Sequence, residues 1–275
     1  MNTLHLQLKQ QNMPSPTLPK PTPTYYLTLI FATFFMGSSF IASKILLLDK
    51  IPPFTLVGWR FIVAALTTLP IVYLTQEPQP KNLSPANRLT TALIGLLQTG
   101  GTMGLLFLAM LYISAANAAI LLFTNPLWVA LLSHFALHEK LTTLKITGLI
   151  IGITGVVLCI GLGSAAADLK GEFLGLASSL CWASTTIVHK KYKTGLGVWR
   201  LSFWQMFTGG AVLVLCSLFA NETIPANAFT SSHIGWFLWL AIPASTGSFG
   251  LWFLALRQGG RLSPALFYSW RLCLR

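Results

Sequence analysis

The chain has 275 residues, 54% hydrophobic and only 9% charged, with 18 Lys and Arg against 6 Asp and Glu and a formal charge of +12. A soluble domain of this length needs a far more charged surface. The basic residues lie between apolar runs, as in cytoplasmic loops, which excludes nucleic acid as a partner and leaves the lipid bilayer.

Residues 1–24 are polar and hold five prolines between Pro14 and Pro23. With no apolar core, this segment reads as a disordered cytoplasmic tail and no signal peptide. Eight apolar runs follow, at about 25–46, 54–75, 89–112, 115–136, 144–163, 172–192, 198–219 and 233–257. Each is long enough to cross about 30 Å of hydrocarbon as a helix. A ninth begins near Leu262 and is cut off by the end of the sequence. The predicted fold is therefore an all-α polytopic membrane protein.

Polar groups inside these runs are the candidates for function. They are Ser38 and Ser39 in the first span, Gln98 in the third, Asn117, Thr124 and Asn125 in the fourth, Gln205 in the seventh, and Ser245 with Thr246 in the eighth. Such groups can orient a small polar substrate without burying charge, or can bond across helices as structural glue. Arg60, in the second span, is either a cavity cation for a carboxylate or a side chain that snorkels to the nearby outer interface. Pro126 removes a backbone donor and frees carbonyls one turn back, either for a substrate or simply by kinking the helix. Tyr112 and Trp182 are either apolar cavity walls or members of the interfacial aromatic belt. Gly148, Gly152 and Gly155 place small residues on one face of the fifth span, as close helix packing requires.

All six carboxylates, Asp49, Glu77, Glu139, Asp168, Glu172 and Glu222, fall at span ends or between spans. This argues against a buried acid as proton carrier, and against a membrane enzyme with clustered His, Asp or Glu. No catalytic residue, metal ligand or cofactor is expected. Cys159, Cys181, Cys216 and Cys273 lie in apolar stretches and read as free thiols.

Lys and Arg fall in alternate connections, twelve on the side of the N-terminus against Lys44, Lys50 and Lys170 on the other, which puts the N-terminus in the cytoplasm. An offset of 146, the separation of Lys44 from Lys190, aligns the two halves. Gly104-Leu-Leu-Phe-Leu-Ala109 falls on Gly250-Leu-Trp-Phe-Leu-Ala255, Ser38 on Ser184, and Gly101 on Gly247. Five spans form the first copy, and an odd count makes the second enter from the opposite side. Inverted repeats of this kind are typical of secondary transporters. The two copies are assigned to 25–163 and 172–275. Counterparts of the fourth and fifth spans belong at 261–282 and 290–309, so the chain is expected to carry a truncated or frame-shifted ninth helix. The alternative is an eight-span protein with a short re-entrant end.

Several segments together resemble the EamA family of the drug/metabolite transporter superfamily. They are Met36-Gly-Ser-Ser-Phe40, Pro53-Phe-Thr-Leu-Val-Gly-Trp-Arg60, Ala115-Ala-Asn-Ala-Ala followed by Asn125-Pro-Leu-Trp128, His138-Glu-Lys-Leu-Thr142, and Gly148-Leu-Ile-Ile-Gly152 with Gly155-Val-Val. The resemblance covers about residues 25–270. It implies ten helices in two inverted five-helix repeats, a central cavity lined by spans 1, 3, 4, 6, 8 and 9, export of amino acids or related metabolites, and a fifth span able to join protomers as a homodimer. The expected function is thus secondary export of small metabolites by alternating access across a bacterial inner membrane. An inactive, truncated remnant of such a carrier is the alternative.

Overall fold

Apolar runs punctuated by Pro, Ser and Asp become helices with well-formed ends. A computed structural model describes residues 23–75, 84–139, 141–163, 168–192, 194–225 and 230–259. Over these it shows eight helices and no strand: α1 (Pro23–Leu48), α2 (Pro53–Thr75), α3 (Pro85–Tyr112), α4 (Ala115–Leu137), α5 (Thr143–Gly163), α6 (Leu169–Lys191), α7 (Val198–Phe219) and α8, built from Ser231–Ala241, Ile242–Gly247 and Ser248–Gly259. Most of the expected tail and the segment from Leu262 lie outside the described residues. Where they can be compared, the spans fall within a few residues of those expected from sequence, though α1 already starts at Pro23. Proline suits that place, because its fixed φ fits the first turn and its missing N–H would have had no partner.

The ends are capped as the sequence allows. Ser84, Ser114, Asp168 and Thr230 each accept a backbone N–H from the first turn of α3, α4, α6 and α8. At the far end of α1, Lys50 turns left-handed at φ 61, with Lys50 N–H bonded to Leu47 O and Ile51 N–H to Leu46 O. His138 closes α4 and Asn221 closes α7 in the same left-handed way. The Glu222 carboxylate reaches from beyond α7 to the start of α2. There it accepts Thr55 N–H at 2.7 Å, Thr55 Oγ1 at 2.8 Å and Phe54 N–H at 3.2 Å.

Six helices are long and apolar enough to cross a bilayer, and exposed Tyr26, Leu27, Phe31, Leu66, Phe135 and Leu215 form part of their lipid-facing surface. The other two, α5 and α6, differ for separate reasons. α5 offers a shorter apolar stretch, Ile146–Leu158. α6 carries Ser178, Ser179, Ser184, Thr185 and Thr186 through its middle, and its polar face is turned into the bundle, where Ser178, Ser179 and Thr185 are buried.

Packing repeats with the sequence. α2 and α7 form the most extensive contact, α3 packs on α6 as α8 packs on α1, and α3 packs on α7 as α8 packs on α2. Exchanging α1, α2 and α3 for α6, α7 and α8 therefore maps these contacts onto one another. Glycine makes the crossings close. A Cβ on Gly58 would lie 2.8 Å from Val214 Cγ2, and one on Gly209 would fall onto Thr99 and the Gly95 backbone. The glycines of α5 correct the sequence reading. Of these three, only Gly152 is tight, against Leu127, while Gly148 and Gly155 face open space, because α5 lies at the edge and, among the described residues, packs chiefly on α4.

Candidate functional site

Helical regularity fails at three places, and all three lie in the bundle's interior. Leu96–Met103 in α3 and Ile242–Gly247 in α8 are wider π turns, and their first residues are separated by the repeat offset. Thr102 Oγ1 donates to Leu97 O and Ser245 Oγ to Leu240 O, each five residues back, which fills the widened turn. Pro243 withholds an N–H inside the second turn. π turns are energetically poor and concentrate at functional sites. Neither was legible as such in the sequence, since Gly100-Gly101 and Pro243 are equally consistent with plain kinks.

The third break divides α4 at Phe123–Thr124, just ahead of Asn125-Pro126. Pro126 has no N–H to give Leu122 O, four residues back. The freed carbonyl is taken by Ser179 Oγ of α6 at 3.1 Å, and Thr124 Oγ1 lies 2.9 Å from the same hydroxyl. Ser178 Oγ likewise bonds Thr102 O at 2.7 Å. Of the two sequence readings of Pro126, the structure shows a break whose carbonyl already has a partner inside the protein.

The candidates from sequence divide accordingly. Thr124, Ser245 and Thr246 are buried and bonded: Thr124 Oγ1 to Ser179 of α6, Ser245 Oγ to Leu240 O of its own helix and to Arg60 of α2, and Thr246 Oγ1 donating to Ala64 O at 2.9 Å and lying 2.8 Å from Thr67 Oγ1. Ser39 bonds Met36 O within its own helix. Ser38 receives Trp239 Nε1–H at 3.0 Å, and the Trp239 ring meets Phe35 edge-on at 5.6 Å, so α1 and α8 are joined at this level. Trp239 was not among the sequence candidates. Its place on the polar side of α8, six residues before Ser245, is the signal that could have found it.

Gln98 and Asn117 are half-buried and Asn125 is 9% exposed, and their side-chain amides meet no hydrogen-bond partner among the described residues. Trp182 stands in an aromatic row, 6.4 Å from Phe123, which is 6.4 Å from Phe40. Tyr112 lies apart, 40% exposed at the end of α3 with the Lys170 ammonium 4.9 Å over its ring. Its surroundings are those of the interfacial belt. Gln205 is buried on α7 near Gly95 of α3.

Arg60 does not snorkel. It is 4% exposed, and its Nε–H donates to Ser245 Oγ at the α8 π turn, at 3.0 Å. Its guanidinium carbon stands 5.0 Å from the Phe61 ring and 5.8 Å from Phe107. An arginine at the middle of a span costs about 2.5–3.5 kcal/mol on insertion scales. A charged hydrogen bond of about 1.5–3 kcal/mol and two cation–π contacts of about 0.5–2 kcal/mol each are enough to offset it. Arginine stays charged in proteins, so the bundle holds a fixed positive charge beside a π turn. No cluster of three or more His, Cys, Asp or Glu side chains occurs among the described residues.

Comparison with known proteins bears on the whole chain. The EamA-like transporter family matches it twice, over residues 23–161 and again over 169–266. The chain is 27% identical over 247 residues to the uncharacterized transporter YoaV of Bacillus subtilis, covering 88% of this chain and 83% of that one. It is 29% identical over 189 residues to protein PecM of Dickeya dadantii, covering 68% and 63%. A solved structure described only as "Crystal structure of protein" superposes with a TM-score of 0.54 at 18% identity, covering 80% of this chain and 77% of that one, a likeness of fold alone.

Proposed function

Since the chain belongs to the EamA-like transporter family and is a membrane transporter, we propose that it exports small polar or amphipathic metabolites, amino acids or related compounds, by alternating access. The observation that carries this reading is the exchange symmetry of α1–α3 with α6–α8, with a π turn at the same place in each half. Two equivalent bundles related in this way can rock about a fixed point between them, where inverted-repeat carriers bind their substrate. The π turns, lacking a regular ladder, are the places where α3 and α8 can bend. The substrate lies against Gln98, Asn117 and Asn125, whose amides are free to pair with it, and against the Phe123–Trp182 wall. The Ser38–Trp239 bond, joining α1 to α8, closes one side and opens when the halves move.

The N-terminus is placed in the cytoplasm, a reading that the distribution of Lys and Arg supports, and the membrane is taken to be a bacterial inner membrane. The test is efflux from cells making the full chain against cells lacking it, with the metabolites profiled outside. A saturable rise in particular metabolites is expected, reduced by Asn125→Leu. Equal efflux for every metabolite in the two strains would overturn the reading. For orientation, single cysteines at Lys50 and at Tyr192 should label from opposite sides, and labelling from one side would remove the inverted arrangement.

A further inference from the structure

Among the described residues Arg60 has no counter-ion. Among the described residues, the carboxylates Asp49, Glu139, Asp168, Glu172 and Glu222 all stand at helix ends or in connections, and none lies within ion-pair distance of Arg60. Ser245 takes Nε–H with a lone pair, because its own proton is given to Leu240 O. Four of the five guanidinium N–H groups, those on Nη1 and Nη2, are then left over. Among the described residues they have no hydrogen-bond partner, and neither Nη of Arg60 is among the fully enclosed unpartnered side-chain atoms. On a residue 4% exposed, the outer edge of the fork is the part left for a solute.

Resting on the transporter reading above, we propose that this fork binds the carboxylate of the transported solute, which makes the substrate class small organic anions and carboxylate-bearing zwitterions. The planar pair of Nη groups matches the two oxygens of a carboxylate. One fixed charge balances one carboxylate. A phosphate dianion would keep uncompensated charge, and the hydroxyls of Thr67, Thr68 and Thr246 on the same two helices already serve the Ala64 carbonyl. Phe61 and Phe107, buried beside the guanidinium, hold its plane in place for that contact. The hydrogen bond to Ser245 ties this anchor to the α8 π turn, so occupancy is felt where that helix bends.

The test uses the purified full chain in detergent and tryptophan fluorescence titration. Pyruvate, glutarate and phenylacetate are each compared with the matching neutral amide, with inorganic phosphate as competitor. The unaltered chain should bind at least one carboxylate about ten- to a hundredfold more tightly than its amide, the range for a charge-assisted bidentate contact. Arg60→Gln should abolish the difference, and Arg60→Lys, which keeps the charge but loses the fork, should retain part of it. Equal binding of acid and amide by the unaltered chain, no binding of any of the acids, or displacement by phosphate would each overturn the proposal, even if both variants fail to fold. Vesicle flux separates the two claims. Saturable flux of neutral or cationic solutes alone overturns the anion site and leaves the carrier, whereas tight carboxylate binding without flux of any solute overturns the carrier and leaves the site.

Discussion

Replacing Ser179 by alanine removes the one hydroxyl that satisfies the Leu122 carbonyl, because Pro126 cannot supply an N–H there. An orphaned buried carbonyl costs about 1–3 kcal/mol in water-soluble cores. Side-chain hydrogen bonds between membrane helices average about 0.6 kcal/mol and reach about 1.7. The loss also removes one partner of Thr124 Oγ1, which keeps its bond to Leu121 O at 2.6 Å. Together these place the expected destabilisation of Ser179→Ala at about 1–1.5 kcal/mol. Pro126→Ala restores an N–H that the Leu122 carbonyl can use, so in that background the same substitution should cost only a few tenths of a kcal/mol. The assay is a double-mutant cycle of reversible unfolding in mixed micelles, followed by tryptophan fluorescence. An identical cost of Ser179→Ala in both backgrounds would refute the account of the α4 break.

Gly209→Ala should destabilise by about 1–3 kcal/mol, because its Cβ has no room beside Thr99 and Gly95, while Gly148→Ala on open α5 should be neutral or slightly stabilising; paired melting curves in detergent compare them. Lys50→Gly should raise the melting temperature by relieving a left-handed conformation that costs a side chain about 1 kcal/mol, with Lys50→Ala as the control that keeps the strain. Glu222→Gln should cost about 0.5–2 kcal/mol by weakening the cap on α2, read from the same unfolding assay.

The fold was legible because hydrocarbon thickness and Lys/Arg placement act on whole segments, so span positions survive local uncertainty. The repeat was legible because glycines at helix crossings, such as Gly104 against Leu213 and Gly250 against Trp199, keep one spacing. Individual side chains were less so. Thr124, Ser245 and Thr246 looked like ligands for a solute because inward-facing hydroxyls on adjacent helices share one sequence pattern, whether they meet a carbonyl or a cavity. Only the position of a neighbouring backbone decides, and that depends on breaks such as Phe123–Thr124 that set the helix ends. Arg60 was ambiguous for the opposite reason. Its distance from the helix end permitted escape to the interface, and the Ser245 hydroxyl that holds it comes from a helix nearly two hundred residues later.

The polarity of α6 bears on how the protein is made. Ser184, Thr185 and Thr186 bond within α6, but Ser178 and Ser179 find their acceptors, Thr102 O and Leu122 O, only on helices synthesised earlier. A segment so weakly attracted to lipid would leave the translocation channel poorly if it emerged alone. The N-terminal half therefore serves as a built-in escort, already waiting in the bilayer when α6 arrives, and the order of synthesis becomes part of the information that folds the chain.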